Sequence, residues 1–191
     1  MDASNTQLLF APLTPDRWPD LESLFGPKGA CGGCWCMYWR LTRKAFEAQK
    51  GEINRLALRT MVEQGVTTGI LAYIEDKAVG WCGMATREQL PTLGRSKILR
   101  PVDDLPVWSI NCFYISRLFR KRGITINLIE AAVAYAHHEG AAVIEAYPIE
   151  PKGNKVPDVF AYTGLLSAFI QAGFKEVVRR SDTRPIVRYF V

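Results

Sequence analysis

Trp108-Ser109-Ile110-Asn111-Cys112-Phe113-Tyr114-Ile115, followed by Arg120-Lys121-Arg122-Gly123-Ile124-Thr125, is the stretch that decides how this chain folds. The first run is apolar and strand-like. The second is a basic loop whose glycine stands where a helix begins, because Leu128, Ile129, Ala132, Val133 and Ala136 follow it as one apolar stripe. A helix start that follows a strand, opens on glycine and carries cationic side chains is a ready anion site. Unpaired backbone N–H groups and the positive end of the helix dipole meet there. A phosphate-bearing ligand is the expected occupant.

The 191 residues are enough to bury a self-sufficient core, and the expectation is one domain over residues 1–191. A hydrophobic share of 48% and a charged share of 23% exclude disorder, collagen and coiled coil. The net charge of +5 suits a polyanionic partner, yet the basic residues are dispersed except at Arg120 to Arg122 and Arg179-Arg180. That pattern points to a small phosphorylated ligand and away from nucleic acid. No apolar run has the length of a membrane-spanning helix and no signal-peptide pattern opens the chain, so the expected location is the cytoplasm, with no membrane partner. Five cysteines in a cytoplasmic chain argue against a disulfide framework. Cys31-Gly32-Gly33-Cys34-Trp35-Cys36 invites a zinc reading, but a fourth ligand is missing, since His137 and His138 lie on a distant helix and Cys82 and Cys112 stand singly. No metal is expected; small residues in a tight aromatic turn account for the cluster.

From the N-terminus, Leu8 to Leu13 reads as a strand. Thr14-Pro15-Asp16 reads as the cap of a helix through Trp18, Leu21, Leu24 and Phe25 that Gly26-Pro27 ends. Trp35, Met37, Tyr38 and Trp39 crowd a glycine-rich turn, where they either pack under the next helix or line a cavity. Thr42 to Gln64 reads as one long helix. Gly69 to Ala85 reads as a hairpin, apolar on both arms and therefore covered on both faces. Arg87 to Pro106 shows no period and reads as an irregular connection. Ala141 to Tyr147 is a strand, Phe160 to Ala172 a helix with Leu165, Leu166, Phe169 and Ile170 on one side, and Phe174 to Val178 and Ile186 to Val191 closing strands. The alternation predicts a mixed α/β sheet flanked by helices.

In this order of elements, and in Arg120-x-x-Gly123-x-Thr125 at a strand-to-helix junction, the chain resembles the GNAT acyltransferases, whose pyrophosphate loop carries Gln or Arg, x, x, Gly, x, then Gly or Ala. Ala172-Gly173-Phe174 is similar to the family's Gly-Phe ending, and Glu145-Ala146-Tyr147-Pro148 suits its fifth strand. The resemblance covers most of the chain. It implies a GNAT-like domain, with a twisted, mostly antiparallel sheet and a splayed central parallel strand pair. It also implies acetyl-coenzyme A as co-substrate, held between the fourth and fifth strands. Backbone groups of Phe113 and Ile115 would then pair with the pantetheine arm. Arg120, Lys121, Arg122, Gly123, Ile124 and Thr125 would surround the pyrophosphate.

Three positions depart from the family. Thr125 replaces the usual Gly or Ala, crowding a phosphate but offering it a hydroxyl. Ser109 stands where many members carry a glutamate base, and Phe169 where many carry a tyrosine acid. What remains is direct attack of an amine on the thioester within a ternary complex, accelerated largely by orientation. Tyr162 and Ser167 are the candidates for the acid, on the helix that should face the thioester. Asp103, Asp104 and Asp158, through water, are candidates for the base, as is Glu145 if it faces inward. An acyl-cysteine on Cys34 or Cys112 lacks a nearby histidine.

The resemblance places the acceptor beside Trp35, Tyr38 and Trp39, with Asp158 as a recognition carboxylate, and such aromatic walls suit a small amine. An aminoglycoside-type antibiotic is the specific expectation, implying detoxification. A metabolite amine or a peptide N-terminus is the alternative. Loss of both usual proton-transfer residues also raises a non-catalytic acyl-coenzyme A sensor. A homodimer is compatible with all of these.

Overall fold

Successive side chains of β2 (Gly69–Ile74) and β3 (Lys77–Thr86) enter two different cores, as a fully covered sheet requires. Ile70, Ala72, Val79, Cys82 and Met84 join one; Leu71, Ala78 and Trp81 join the other. The computed structural model describes residues 7–153 and 158–191, with side chains at all of these except 158–160. Seven strands form one sheet in the order β1-β2-β3-β4-β5-β7-β6, with β1 at Leu8–Pro12, β4 at Trp108–Ile115, β5 at Val143–Ala146, β6 at Lys175–Arg179 and β7 at Pro185–Phe190. Among these seven strands every pairing is antiparallel except β4 with β5.

That parallel pair makes the opening expected at the centre of the sheet. It spans only Trp108↔Ile144, Ser109↔Glu145 and Ile110↔Ala146, while β4 continues for five more residues. The separation begins at a bulge. Gly83 pairs with Cys112 and Met84 with Ile110, so Asn111 is an extra residue on β4. A bulge bends its strand and increases the local twist, which turns the end of β4 away from β5.

One face is covered by α5 (Ile124–His138), whose buried residues are Ile124, Leu128, Ile129, Ala132 and Ala136, the stripe read from the sequence except for Val133, which packs at its margin. The other face is covered by α1 (Trp18–Phe25), α3 (Glu52–Glu63) and the aromatic turn. A third cluster, including Trp39, Leu90, Leu93, Leu99, Tyr147 and Ile186, fills the end of the sheet near the opening.

Four local expectations are corrected. Thr14 is not a side-chain cap: its hydroxyl accepts from Arg17 Nη1 at 2.9 Å, and a 3-10 turn at Pro15–Arg17 precedes α1. The long helix from Thr42 is two, α2 (Arg43–Gln49) and α3. The chain breaks at Gly51 because its N–H and the Asn54 side chain both bond to the Gly33 carbonyl, at 3.0 and 3.4 Å, a tertiary tie invisible to helical periodicity. The connection from Arg87 to Pro106 holds a 3-10 turn at Arg87–Gln89 and the short α4 (Pro91–Arg95), and buries Leu90, Leu93 and Leu99. The helix read over Phe160 to Ala172 is a 3-10 turn at Asp158–Thr163 and then α6 (Leu166–Gln171), with only Phe169 of the expected apolar side buried. Gly164 separates them at φ 82°, where a Cβ would stand 2.8 Å from the Phe169 ring. Its carbonyl accepts from Ile149 N–H, and Leu166 N–H bonds to Ile149 in turn, which ties this segment to the chain leaving β5.

Candidate functional site

The β4 side of the opening presents a backbone edge. Ser116 N–H bonds to Val79 O at 2.9 Å, and strand alternation then turns the backbone groups of Phe113 and Ile115 away from β3 and into the opening. The Phe113 side chain is buried on the α5 face, 5.9 Å between ring centroids from Phe169. The Ile115 carbonyl already accepts from Arg120 Nε at 3.0 Å and the Phe113 carbonyl accepts a long bond from the Cys112 thiol at 4.0 Å, while the N–H groups of both residues face the opening.

The loop after β4 makes a 3-10 turn at Arg117–Phe119 and then turns twice through left-handed conformations, at Lys121 (φ 61°) and Gly123 (φ 75°). Gly123 is the N-terminal flank of α5 and caps it with no side chain, so the first N–H groups, of Ile124 and Thr125, lead out of the helix end. A Cβ on Gly123 would meet no atom within 4 Å. That space, framed by amides and the positive helix end, fits a diphosphate. The cations divide their work: Arg120 holds the loop to β4, Arg122 stacks its guanidinium 5.3 Å from the Phe119 ring centre, and Lys121 and Arg122 are exposed.

Across the opening, Tyr38, Trp39 and Tyr162 form an aromatic wall, with centroid separations of 4.9 Å for Tyr38–Trp39 and 6.4 Å from each of these to Tyr162. Trp39 is tied to the bulge, its Nε1 donating to Asn111 O at 3.1 Å. Tyr162 is half-buried, and its hydroxyl is pushed above its usual range by burial and then by Tyr38, against the opposing Arg184 guanidinium. It therefore keeps its proton. Trp35 stands apart from this wall: it is buried between Trp18 and Phe25, at centroid distances of 6.0 and 5.5 Å. Ser167 is exposed on α6. Asp158 lies in the 3-10 turn, and its side chain is outside the described residues.

Glu145 faces inward, yet it is fully engaged. It accepts from Arg87 at 2.6 Å, from Arg188 at 2.8 Å and from the Tyr147 hydroxyl at 2.8 Å. Tyr147 in turn accepts from Arg87 at 2.6 Å and from Ser109 at 2.8 Å. Asp103 is clamped by Arg188 at 2.6 and 2.9 Å, and Arg188 holds its carboxyl below the usual range. Two of the carboxylates read as bases are thus structural counter-ions, Asp104 stays exposed, and Ser109 is locked inside the sheet. The sequence reading missed Arg87 and Arg188; a cation within the apolar run Ile186 to Phe190 was the available signal for a buried acid opposite it.

Two open grooves, of about 550 and 240 Å³, lie along α1 and α3 and include no residue of the β4–β5 opening. Among the described residues, no group of three or more Cys, His, Asp or Glu side chains is arranged to hold a metal, and no helix is long and apolar enough to cross a membrane.

A family model described as Acetyltransferase (GNAT) family matches residues 35–155. No curated protein sequence matches the chain. Among solved structures, the PaiA N-acetyltransferase of Thermoplasma acidophilum in complex with coenzyme A superimposes with a TM-score of 0.54 at 11% identity, covering 97% of this chain and 99% of that one. The aminoglycoside N-acetyltransferase AAC(6')-Iy in complex with coenzyme A gives 0.56 at 12% identity, with 95% and 96% covered. The NatC complex bound to Gag peptide and coenzyme A gives 0.51 at 12%, with 97% and 99% covered. At these identities the likeness is one of fold.

Proposed function

Because the chain belongs to the acetyltransferase (GNAT) family, we propose that it transfers the acetyl group of acetyl-coenzyme A to the primary amine of a small molecule, by direct attack while both are bound. The observation that carries this reading is the bulged, early-ending β4–β5 pair beside the uncapped start of α5. One edge receives an extended arm and the adjoining helix end receives a diphosphate, and coenzyme A has both. Its thioester supplies an activated acyl group on a good leaving group.

Amides from Lys121 to Thr125 bind the diphosphate, the Thr125 hydroxyl adds a donor, and the backbone of Phe113 and Ile115 pairs with the pantetheine arm. Arg120 positions the loop. Tyr38 and Trp39 line the acceptor side, Trp35 supports the turn that carries them from within the core, and Asp158 is the recognition carboxylate proposed for the amine. As the amine nitrogen bonds to the carbonyl carbon, the carbon–sulfur bond breaks, the nitrogen releases its proton to water, and the Tyr162 hydroxyl donates one to the leaving thiolate. Tyr162→Phe is expected to lower kcat by about tenfold to a hundredfold with the coenzyme A Kd unchanged. An unchanged kcat would move the acid elsewhere.

The acceptor can be narrowed by charge. Asp103 and Glu145 are consumed by arginines, and Arg184, bonded to Thr163 at 3.0 Å, acts on the Tyr162 side of the wall. This surrounding favours an amine on a flat, weakly charged body, such as a metabolite amine, over a polycationic aminoglycoside. A screen of aminoglycosides, aryl- and alkylamines, amino acids and short peptides, read by thiol release and by product mass, tests this. Turnover on aminoglycosides alone would restore the detoxification reading. A second reading, an acyl-coenzyme A sensor, rests on Ser109 and Phe169 being locked in the interior; tight binding without turnover on any amine would establish it.

A further inference from the structure

The aromatic turn carries a group that acetyl transfer does not use. Trp35 and Cys36 both take left-handed backbone angles, φ 42° and 53°, a conformation that a residue with a Cβ occupies only under strain. The turn aims the buried Cys36 sulfur at β3 and β4. There the Trp81 indole N–H, a group that can only donate, reaches the sulfur at 3.0 Å. Cys112, beside the bulge of β4, packs against the same cluster as Cys36 and Trp81, and a Cβ placed on Gly83 would meet both Cys112 Cβ and the Trp81 indole nitrogen at 3.3 Å, so Cys112 and Cys36 flank one indole N–H. The Arg40 guanidinium acts on the Cys36 sulfur as well, and the side-chain partner of Arg40 is the neutral amide of Gln89 at 3.2 Å. A neutral thiol is a weak acceptor, whereas a thiolate satisfies the indole donor and a half-buried cation together.

The titration of the neighbours agrees with this geometry. The neighbouring Cys112 thiol, ahead of the indole and Arg40, holds the Cys36 thiol below its usual range against burial, and Cys36 in turn pushes Cys112 well up. Burial pushes Arg40 down to about 10 and Cys34 up to about 11. Cys82 is buried in the opposite core and pushed up by that burial.

We propose that Cys36 and Cys112 are a peroxide-reactive thiol pair that closes to a disulfide between the aromatic turn and β4. The oxidant is hydrogen peroxide. The Cys36 sulfur attacks one peroxide oxygen; a sulfur–oxygen bond forms, the oxygen–oxygen bond breaks, and hydroxide leaves. Cys36 loses two electrons and the peroxide gains them. The Cys112 sulfur then attacks the sulfenic sulfur, a sulfur–sulfur bond forms, and the sulfenic oxygen departs as water with the Cys112 proton. Cys112 is half-buried and directly follows Asn111, whose carbonyl holds the Trp39 indole of the acceptor wall, so closure stiffens that wall. That last consequence rests on the proposed function; the disulfide does not.

The test treats the full chain with hydrogen peroxide, blocks free thiols, and maps peptides by mass. The expected product joins the Cys36 and Cys112 peptides with the loss of two hydrogens, reverses with dithiothreitol, and forms about tenfold or more faster than any modification of Cys31. In Cys112→Ser, Cys36 accumulates as a sulfenic acid that dimedone traps; in Cys36→Ser, Cys112 stays reduced. A Cys31–Cys34 linkage in the wild-type chain, or first oxidation at Cys112, would overturn the proposal. The mapping needs no activity, so it stands apart from the identity of the acceptor. An oxidised chain that keeps its coenzyme A affinity but loses turnover supports closure onto the acceptor side; unchanged turnover refutes that consequence alone.

Discussion

Gly123→Asp is expected to lower coenzyme A affinity by about a hundredfold, or ~2.7 kcal/mol, while leaving the chain folded. Two effects combine. The position has φ 75°, which an aspartate occupies under strain, and its Cβ would enter open space with no protein atom within 4 Å. The core therefore has nothing to clash with, and the strain is modest. The carboxylate, however, would stand among the N–H groups of Ile124 and Thr125 and compete with the phosphates for them. Gly123→Ala carries the strain without the charge, and a loss of only a few-fold is expected. Calorimetric titration of coenzyme A against both variants checks the difference. Equal affinities for wild type and Gly123→Asp would remove the diphosphate from this loop.

The largest stability effect is expected from Glu145→Ala. Glu145 is fully buried, Arg188 is 3% exposed and Arg87 side-chain exposure is 14%, so solvent screens the pairs little. Removing the acid leaves one guanidinium with Asp103 as its remaining acidic partner and the other with the Tyr147 hydroxyl and the Leu99 carbonyl. Truncating one member of such a buried network costs about 3–5 kcal/mol. Guanidinium denaturation should show the midpoint falling with little change in slope, and a loss under about 1 kcal/mol would show that the arginines relax to water. Because Tyr147 joins Ser109 across the β4–β5 pair, activity should fall as well, through the width of the opening rather than through proton transfer.

Parts of this molecule can be read one residue after another, and those parts were legible. The period of α5, the glycine at its start, the apolar arms of the hairpin and the order of elements are local facts: an amphipathic stripe or a left-handed turn depends on neighbours in the chain. The breaks at Gly51 and Gly164 were not legible, because the Gly33 carbonyl and the Ile149 backbone that cause them arrive from distant segments. The leucines from Leu90 to Leu99 showed no period because a short turn and a one-turn helix bury residues irregularly.

The site divides along the same line. By itself the sequence determined a mixed sheet, a strand-loop-helix junction with a glycine at the helix start between Arg120 and Thr125, and the absence of the usual glutamate and tyrosine at positions 109 and 169. Only the tertiary structure decided which side chains meet. It drew Tyr38 and Trp39 to Tyr162 and left Trp35 in the core. It spent Glu145 on two arginines and set the sulfur of Cys36 against the Trp81 indole, with Cys112 packed on the same cluster. The reason is physical: backbone conformation and apolar periodicity are encoded over a few residues, whereas charge pairing and thiol chemistry depend on distances of a few ångströms between residues as many as 85 apart, as with Asp103 and Arg188.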